Sequence, residues 1–305
     1  MAPLNKNTIL PPRLKPGDTI GIVAPAGPFD VDIFDQGIHT LKAMGFQIHI
    51  PDDIYESDGY LAGSDQQRVD VIHRLFADSH INAIVCAKGG YGSLRLLSLL
   101  DYRVIEQHPK IFMGHSDISA LLSAIDTKCG LVTFHGPLVT TLSTAPEATR
   151  QAVIAALTSG RALDIKTQKG VTIHSGSTSG RVCGGNLTTL CHLLSTPFAP
   201  SFTDQILFLE DRGEAPYRLD RMLFQMKLAG CFEGLAGLVL GDFIDCGALE
   251  DVIKIFSDLF QDSAIPILAG FESGHGKQNI TLPFGIEATL DADSHRLSYH
   301  QPATM

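Results

Sequence analysis

Strand-length apolar runs alternate with helical patterns through the first half of this 305-residue chain, and this alternation constrains the fold more than any other feature of the sequence. The runs are bounded by polar turns and comprise residues 19–25, 46–50, 83–87, 110–113 and 131–134. Strands separated by helices favour a parallel sheet that is covered on both faces. In such a sheet, the loops at the carboxyl ends of the strands are available for chemistry. We therefore predict an α/β fold for this half.

One of the helices carries its own start signal. Ser64 and Gln67 predict a capping box, in which each side chain binds a backbone N–H group at the start of the helix. From Asp65 onward, one face of the helix is apolar, and its residues are Val69, Ile72, Leu75 and Phe76. The helix is thus predicted to begin at Asp65 and to bury this face.

The composition changes near residue 160, where a polar segment rich in glycine and serine begins. We interpret this segment as a linker. The predicted division is a first domain of residues 1–165, a linker of residues 166–179 and a second, mixed α/β domain of residues 180–305. Near the end of the chain, residues 286–299 alternate between apolar and polar side chains around a polar turn, which predicts an antiparallel strand pair.

Charge and composition argue against several classes of protein. Acidic residues outnumber basic ones by 33 to 23, and the net charge of -10 opposes binding to nucleic acid or to anionic lipid. No run approaches the roughly 20 apolar residues of a transmembrane helix, and the proline-containing N-terminus has no apolar run of signal-peptide length. The six cysteines form no CxxC pair and are predicted to be reduced. We expect a cytoplasmic protein without a nucleic-acid or membrane partner.

Ser116 is the first candidate for chemistry, because it stands where an apolar strand ends and a helical pattern begins. At such a turn, a serine exposes its hydroxyl, and the backbone N–H groups of the helix point at developing negative charge. This is the geometry of a nucleophile elbow, although Ile118 occupies the last glycine position of the G-x-S-x-G motif. The alternative is that Ser116 is an ordinary helix N-cap.

A second candidate is the glycine-rich loop KGGYG at residues 88–92, which follows an apolar strand. Its glycines would let the backbone approach a ligand closely, as in a phosphate cradle or an oxyanion hole. The dinucleotide-binding fingerprint is absent, because no third glycine has the required offset. A plain tight turn is the alternative.

Two further candidates lie in the second half of the chain. Glu210 ends an apolar strand, where a rigid scaffold can hold a carboxylate at a cleft. Asp211 and Glu214 are competing candidates for this role. The alternative is that all three belong to a solvated acidic loop. His275 stands between two glycines, which free the backbone to aim an imidazole suited to acid–base work. Its alternative is an exposed loop histidine. The sequence has no HExxH motif and no paired Cys/His set, so we predict no metal site.

With these segments in view, the chain resembles the LD-carboxypeptidase family of serine peptidases, which includes murein tetrapeptide carboxypeptidases. The resemblance covers nearly the whole chain, in several long motifs that occur in the family's order. They are TIGIVAPAGP, KGGYGSLRLL, IFMGHSDISAL, GRVCGGNLTTLCHLLSTPF, LFLEDRGEAPYRLDRML and GHGKQNITLPFG. One departure is Ser195, at a position where the family pattern has glycine.

The resemblance implies a role for each candidate. Ser116 would be the nucleophile, Glu210 the acidic member of the triad and His275 the base, with the N–H groups of Asp117 and Gly90 forming the oxyanion hole. Candidates for binding the substrate are Asn186, Arg218 and Arg221. The substrate would be a murein tetrapeptide, cleaved during peptidoglycan recycling to release D-alanine without a cofactor or metal.

The resemblance also implies an architecture. The expected fold is an N-terminal parallel α/β domain, flavodoxin- or glutamine-amidotransferase-like, followed by a smaller C-terminal β-rich domain of the swivelling β/β/α type. The triad would then lie between the two domains, and the protein would be a homodimer.

Two other functions remain open from the sequence. A peptidase of the same family could instead cleave peptide–nucleotide conjugates, as the microcin-immunity members do. Those members stack the nucleobase on an aromatic side chain, often tryptophan, and this chain has no tryptophan. The second alternative is a peptide-binding protein that kept the fold and lost turnover.

Overall fold

A mostly parallel sheet forms the first half of the molecule. The computed structural model describes residues 8–305, so residues 1–7 of the predicted first domain lie outside the described part. Five parallel strands run in the order β2-β1-β3-β4-β5. They are β1 (Thr19–Val23), β2 (Gln47–His49), β3 (Ala83–Cys86), β4 (Ile111–Gly114) and β5 (Thr133–His135). All five strands predicted from apolar runs are confirmed, with ends that differ by one or two residues.

Helices connect these strands and cover the sheet. They are α1 (Val31–Ala43), α2 (Asp65–Ala77), α3 (Tyr102–Gln107), α4 (Ser119–Cys129), α5 (Val139–Leu142) and α6 (Glu147–Thr158). The capping box at the start of α2 is confirmed: the Gln67 N–H donates to the Ser64 hydroxyl, and the Ser64 N–H donates to the Gln67 side chain at 3.0 Å. The predicted apolar face of α2 is buried.

An eight-stranded mixed sheet forms the second half. Its strands are β6 (Asp164–Lys166), β7 (Val171–His174), β8 (Ser177–Asn186), β9 (Gln205–Arg212), β10 (Gly237–Ile244), β11 (Ile267–Ala269), β13 (Glu287–Asp291) and β14 (Arg296–Tyr299). The order is β6-β14-β13-β8-β9-β10-β11-β7, with β8 to β11 parallel. The predicted strand pair at residues 286–299 is confirmed as β13 and β14. The helices of this half are α7 (Leu187–Leu193), α8 (Pro216–Leu228) and α9 (Leu249–Leu259).

One strand of the second half belongs to the first sheet. The short β12 (Leu282–Phe284) pairs antiparallel with β5, so the two halves exchange backbone hydrogen bonds. The molecule is therefore of mixed α/β class with N-terminal and C-terminal parts, as predicted. The swivelling character of the C-terminal part stays a prediction.

The polar segment predicted as a linker is not free of secondary structure. It contains β7, which pairs antiparallel with β11 at the edge of the second sheet, and the first residues of β8. Polar side chains are compatible with an edge strand because its backbone is paired on one side while its side chains face water. The exact division of the chain at residues 165 and 180 stays a prediction.

Ser195 follows α7 in the left-handed region, with a φ of +63°. Glycine adopts this conformation without the steric cost that a Cβ atom brings. The structure thus explains why glycine suits this position and why serine is a departure with a local conformational cost.

The two halves meet where α4 packs against β8. The Asn186 N–H donates to the Ser119 hydroxyl at 2.9 Å, and an Arg181–Asp126 ion pair of 2.8 Å bridges the same two elements. Burial raises the pKa of Asp126 to about 6, although Arg181 opposes this shift. Because α4 begins three residues after Ser116, this contact fixes the second sheet relative to the candidate nucleophile.

The described residues contain no helix that is long and apolar enough to cross a membrane. All six cysteines are free, and five of them are buried.

Gly185 tests the contact between the halves. A Cβ atom on Gly185 would lie 2.7 Å from the Ser119 Cβ, whereas a Cβ on Gly17 would meet nothing within 4 Å, and both glycines have positive φ. We expect Gly185→Ala to lower the free energy of unfolding by about 2–4 kcal/mol, from left-handed strain plus overpacking. Gly17→Ala should cost only the strain, about 1 kcal/mol. Urea denaturation of both variants measures the difference, and equal losses would contradict a tight contact at Gly185.

Candidate active site

Ser116 occupies a strained turn between β4 and α4. Its φ is +65°, and it begins a short 3-10 turn, Ser116–Ile118, that leads into the helix. A non-glycine residue in the left-handed region costs roughly 1–3 kcal/mol and is characteristic of functional turns. The N-cap of α4 is Ile118, so the alternative that Ser116 caps this helix is wrong. The backbone has the form of a nucleophile elbow.

The glycine-rich loop lies directly against this elbow. A Cβ atom on Gly89 would lie 2.9 Å from the Ser116 Cβ, and one on Gly114 would lie 2.8 Å from the Ile118 side chain. Only glycine allows both approaches. Gly90, with a φ of +105°, lines the same cleft as Ser116. The close packing of the loop thus brings the Gly90 backbone to the cleft that contains Ser116.

Hydrogen bonds to Asp117 connect the glycine-rich loop with the turn at Ser116. The Ser93 N–H donates to the Asp117 carboxylate at 2.8 Å, and the Ser93 hydroxyl donates to the Asp117 carbonyl. On the other side of the loop, the buried Arg68 guanidinium donates to the Gly92 carbonyl at 3.1 Å. Burial raises the pKa of Asp117 even though Ser93 donates to it. These hydrogen bonds hold the turn that contains Asp117 and the loop that contains Gly90 next to each other.

Glu210 and His275 form a short hydrogen bond near the carboxyl end of β9, a central strand of the second sheet. His275 Nδ1 lies 2.6 Å from Glu210 Oε2, and the carboxylate is fully buried while the ring is 13% exposed. Burial by itself lowers the pKa of His275, but the hydrogen bond and charge of Glu210 outweigh it and raise the pKa above its usual value. The carboxylate therefore stabilises the protonated ring.

His135 supports the same carboxylate from the first sheet. It lies on β5, and its Nε2 is 3.9 Å from Glu210 Oε1, which is too long for a hydrogen bond but close enough for electrostatic attraction. Burial by itself raises the pKa of Glu210, yet the interactions with His135 and His275 outweigh burial and keep it well below its usual range. Glu210 therefore remains ionised near neutrality.

His115 is a neighbour of the triad candidate but a poor base. Its ring packs edge-on against His275 with a centroid separation of 5.0 Å, and its Nδ1 donates to the Gly136 carbonyl at 3.0 Å. Burial, together with His275 and His135, lowers the pKa of His115 to about 3. His115 is therefore neutral at physiological pH, which leaves His275 as the histidine suited to proton exchange.

Both glycines beside His275 are needed for close packing. A Cβ atom on Gly274 would lie 2.7 Å from Glu210 Oε2, and one on Gly276 would lie 2.6 Å from the Asp242 carboxyl carbon. Burial and the nearby Glu210 raise the pKa of Asp242 to about 7. The glycines thus let the loop seat the imidazole on the carboxylate, as the sequence predicted.

A cleft of about 570 Å³ joins these groups from both halves of the molecule. Ser116, Asp117, Gly90, Asn186 and His275 all line it. Since Nδ1 of His275 binds Glu210, Nε2 is the ring nitrogen that can exchange a proton with Ser116. Among the described residues, no hydrogen bond joins the Ser116 hydroxyl to the ring, so proton transfer between them would need this bond to form, as catalytic hydrogen bonds often do only when substrate is bound. Within residues 8–305, no group of three acidic, histidine or cysteine side chains could hold a metal ion.

Comparisons with known proteins agree with this geometry. The family model described as the LD-carboxypeptidase N-terminal domain matches residues 20–136, and that of the LD-carboxypeptidase C-terminal domain matches residues 179–290. The chain belongs to the LD-carboxypeptidase family.

Relatives in this family include carboxypeptidases and a self-immunity protein. The chain is 34% identical to a probable murein peptide carboxypeptidase of Bacillus subtilis, over 92% of this chain and 91% of that protein. It is 33% identical to the murein tetrapeptide carboxypeptidase of Pseudomonas aeruginosa, over 91% and 94%. The solved wild-type apo form of the microcin C7 self-immunity protein MccF is 28% identical with a TM-score of 0.91, over 97% and 100%. MccF has also been solved in complex with aspartyl sulfamoyl adenosine.

The predicted substrate-binding residues do not all line the cleft. Asn186 lines the cleft, caps α7 and donates to Asp211 at 3.0 Å. Arg218 and Arg221 lie on α8 beside the Tyr217 ring, outside the residues that line the cleft. The arginine that does line it is Arg212, which the sequence reasoning missed. Strand alternation could have found it, because residues i and i+2 of a strand share a face and Arg212 is two residues after Glu210.

The competing carboxylates have other partners. Asp211 accepts hydrogen bonds from Asn186 and from the Thr188 N–H and hydroxyl, the last at 2.8 Å. Glu214 lines the cleft and lies 3.6 Å from Arg218. Only Glu210 among the three makes a hydrogen bond to His275 in the described part of the chain.

The Glu210–His275 pair can be tested without a substrate. Replacing the carboxylate by an amide in Glu210→Gln removes the charge that raises the pKa of His275, so the ring should titrate at lower pH. Histidine NMR titration measures this shift. Glu214→Gln is the matched control, because it removes a carboxylate in the same cleft that does not contact the ring, and it should leave the titration nearly unchanged. An unchanged His275 titration in Glu210→Gln would contradict the pair.

Proposed function

We propose that this protein is a serine carboxypeptidase that hydrolyses the L,D peptide bond before the terminal D-alanine of murein tetrapeptides. The observation that carries the proposal is the 2.6 Å hydrogen bond from His275 to the buried Glu210, at the edge of the cleft that contains Ser116. The similarity to the murein tetrapeptide carboxypeptidase of Pseudomonas aeruginosa supports the substrate class. The family resemblance further supports a homodimer that acts in the cytoplasm during peptidoglycan recycling.

Acylation would use the triad in its usual roles. His275 Nε2 takes the proton of the Ser116 hydroxyl while the serine oxygen attacks the carbonyl carbon of the L-centre, and Glu210 stabilises the imidazolium that forms. The N–H groups of Asp117 and Gly90 donate to the oxyanion, an effect typically worth about 3–4 kcal/mol per donor. The raised pKa of His275 favours its protonated form in this step.

Collapse of the intermediate would release D-alanine. The C–N bond breaks as His275 gives its proton to the leaving nitrogen, and an ester links the tripeptide to Ser116. A water molecule then attacks this ester, with His275 taking the water's proton and returning one to the Ser116 oxygen. The products are the tripeptide and D-alanine, and the enzyme is restored.

Ser116→Ala removes the proposed nucleophile. It should lower kcat for D-alanine release from a synthetic murein tetrapeptide by at least about a thousandfold, with folding intact. Ser123→Ala, on α4 and outside the cleft, is the matched control and should retain activity. Mass spectrometry of the products and circular dichroism of each variant provide the readouts. More than about a tenth of normal turnover in Ser116→Ala would reject the nucleophile. A wild-type protein that binds the peptide without cleaving it would indicate a binding protein.

The configuration of the last residue provides a separate test. A tetrapeptide that ends in L-alanine should be cleaved at least about tenfold less efficiently than the D-epimer, which corresponds to ~1.4 kcal/mol of transition-state discrimination. Equal kcat/KM values for the two epimers would indicate a general carboxypeptidase instead.

Aspartyl sulfamoyl adenosine, the ligand in one MccF structure, can be used as a test substrate for the alternative function, cleavage of peptide–nucleotide conjugates. The cleft is lined by the aromatic ring of Tyr91, on which a nucleobase could stack. This ring packs against Tyr60 with a centroid separation of 5.5 Å. Hydrolysis of this conjugate in preference to the tetrapeptide would favour the microcin-immunity type.

A further inference from the structure

A second, smaller cavity adjoins the cleft on the side of His275. Its volume is about 70 Å³, and it shares His275 and Arg212 with the cleft. Lys277 and Asn279 also line it, while its other walls include the apolar Pro137 and Ala145. The triad proposed above does not use this cavity.

Asn279 presents an unused hydrogen-bond donor there. The side chain is buried, with 4% of the residue exposed, and its Oδ1 accepts from the Gly274 N–H at 3.2 Å. The Ser273 hydroxyl lies 3.3 Å from the same oxygen but has its shorter hydrogen bond, of 2.8 Å, to the Ile280 carbonyl. The Gly274 N–H, which can only donate, therefore orients the amide so that Nδ2 is its free end. Nδ2 has no hydrogen-bond partner in the described part of the chain. A buried donor of this kind favours an acceptor atom from a bound molecule.

The cavity wall is also cationic. Arg212 and Lys277 line it, and the residues of the described chain that form its wall include no carboxylate. Arg212 lies 3.7 Å from Asp245, but both side chains are largely exposed, at 60% and 70%, so this ion pair leaves the guanidinium available. Two cations and one free amide donor form a set suited to a carboxylate, which accepts hydrogen bonds through both oxygens.

We propose that this cavity binds the C-terminal carboxylate of the leaving residue, through Arg212, Lys277 and Asn279. This inference rests on the proposed carboxypeptidase function. In an exopeptidase that releases a single residue, the terminal carboxylate lies within one residue of the attacked carbonyl, a span of about 4 Å between α-carbons. The leaving nitrogen must also lie next to the general acid, His275. The cavity has His275 in its wall, and His275 also lines the cleft that contains Ser116, so the cavity is adjacent to the place where both conditions apply.

The same cavity limits which residue can leave. Pro137 and Ala145 provide an apolar wall for a methyl side chain, and the small volume does not suit a long one. The cations then distinguish a free carboxylate from a continuing peptide chain. Arg212, Lys277 and Asn279 are thus binding residues that make the enzyme an exopeptidase.

Two substrates test the proposal: a murein tetrapeptide with a free terminal D-alanine, and the same peptide with a C-terminal D-alaninamide. The wild-type protein should prefer the free acid by about a hundredfold in kcat/KM, because the amide removes the charge that the cations bind. Arg212→Met and Lys277→Met should each reduce this acid-to-amide ratio at least about fivefold, mainly by slowing hydrolysis of the acid. Arg103→Met, an exposed change on α3 that touches neither cavity, is the matched control and should keep the wild-type ratio.

Asn279→Asp is a further test variant, and its side chain has nearly the same shape as that of asparagine. It replaces the free Nδ2 donor by a carboxylate oxygen, so it should slow cleavage of the acid at least tenfold more than cleavage of the amide. Because the readout is a ratio between two substrates in one protein, a general loss of folded enzyme leaves it unchanged.

The outcomes separate this inference from the proposed function. If the wild-type protein releases neither D-alanine nor D-alaninamide, the carboxypeptidase function fails and this inference fails with it. If the wild-type protein cleaves the acid but has no preference over the amide, only the inference is overturned. The same holds if Arg212→Met, Lys277→Met and Asn279→Asp keep the wild-type ratio, or slow both substrates equally.

Discussion

A fully buried carboxylate, that of Glu210, is the constraint on which the rest of the active site depends. An isolated charge in the protein interior is strongly unfavourable, and removal of one partner from a buried pair typically costs about 3–5 kcal/mol. Glu210 is stabilised by a hydrogen bond from His275 and by the nearby His135, which belong to different parts of the chain. Since His135 lies in the first sheet and Glu210 in the second, the charge has both partners only when the two sheets are packed together.

The contacts around Ser116 show how such a site can hold a strained residue. The left-handed turn at Ser116 is unfavourable by itself, so neighbouring groups must maintain it. Gly89 packs against the serine, Ser93 binds Asp117 on the next position, and Ser119 receives the backbone of β8 one helical turn later. The same contacts that maintain the turn also align the glycine-rich loop and the second sheet with it. Local strain and the packing of the two halves are therefore coupled.

The sequence predicted helices and strands more accurately than it predicted which side chains lie near the cleft. The capping box at Ser64 and the five strands of the first sheet depend on neighbouring residues, so their signals are local and were read correctly. In residues 166–179, the edge strand β7 carries polar side chains like those of loops, so a local pattern does not distinguish an edge strand from a linker there. Arg218 and Arg221 were candidates for binding the substrate, but both lie on α8 beside Tyr217, whereas Arg212 lines the cleft.

By itself, the sequence determined the order of strands and helices and the positions of Ser116, Glu210 and His275 at the ends of elements or between glycines. These features follow from side-chain periodicity and turn chemistry, which act over a few residues. Only the tertiary structure decided that β12 crosses into the first sheet, that His135 faces Glu210, and that Arg212 and Asn279 share one cavity. These contacts are between residues that are far apart in the chain. They depend on strand order and on how the two sheets pack, which no local pattern of residues specifies.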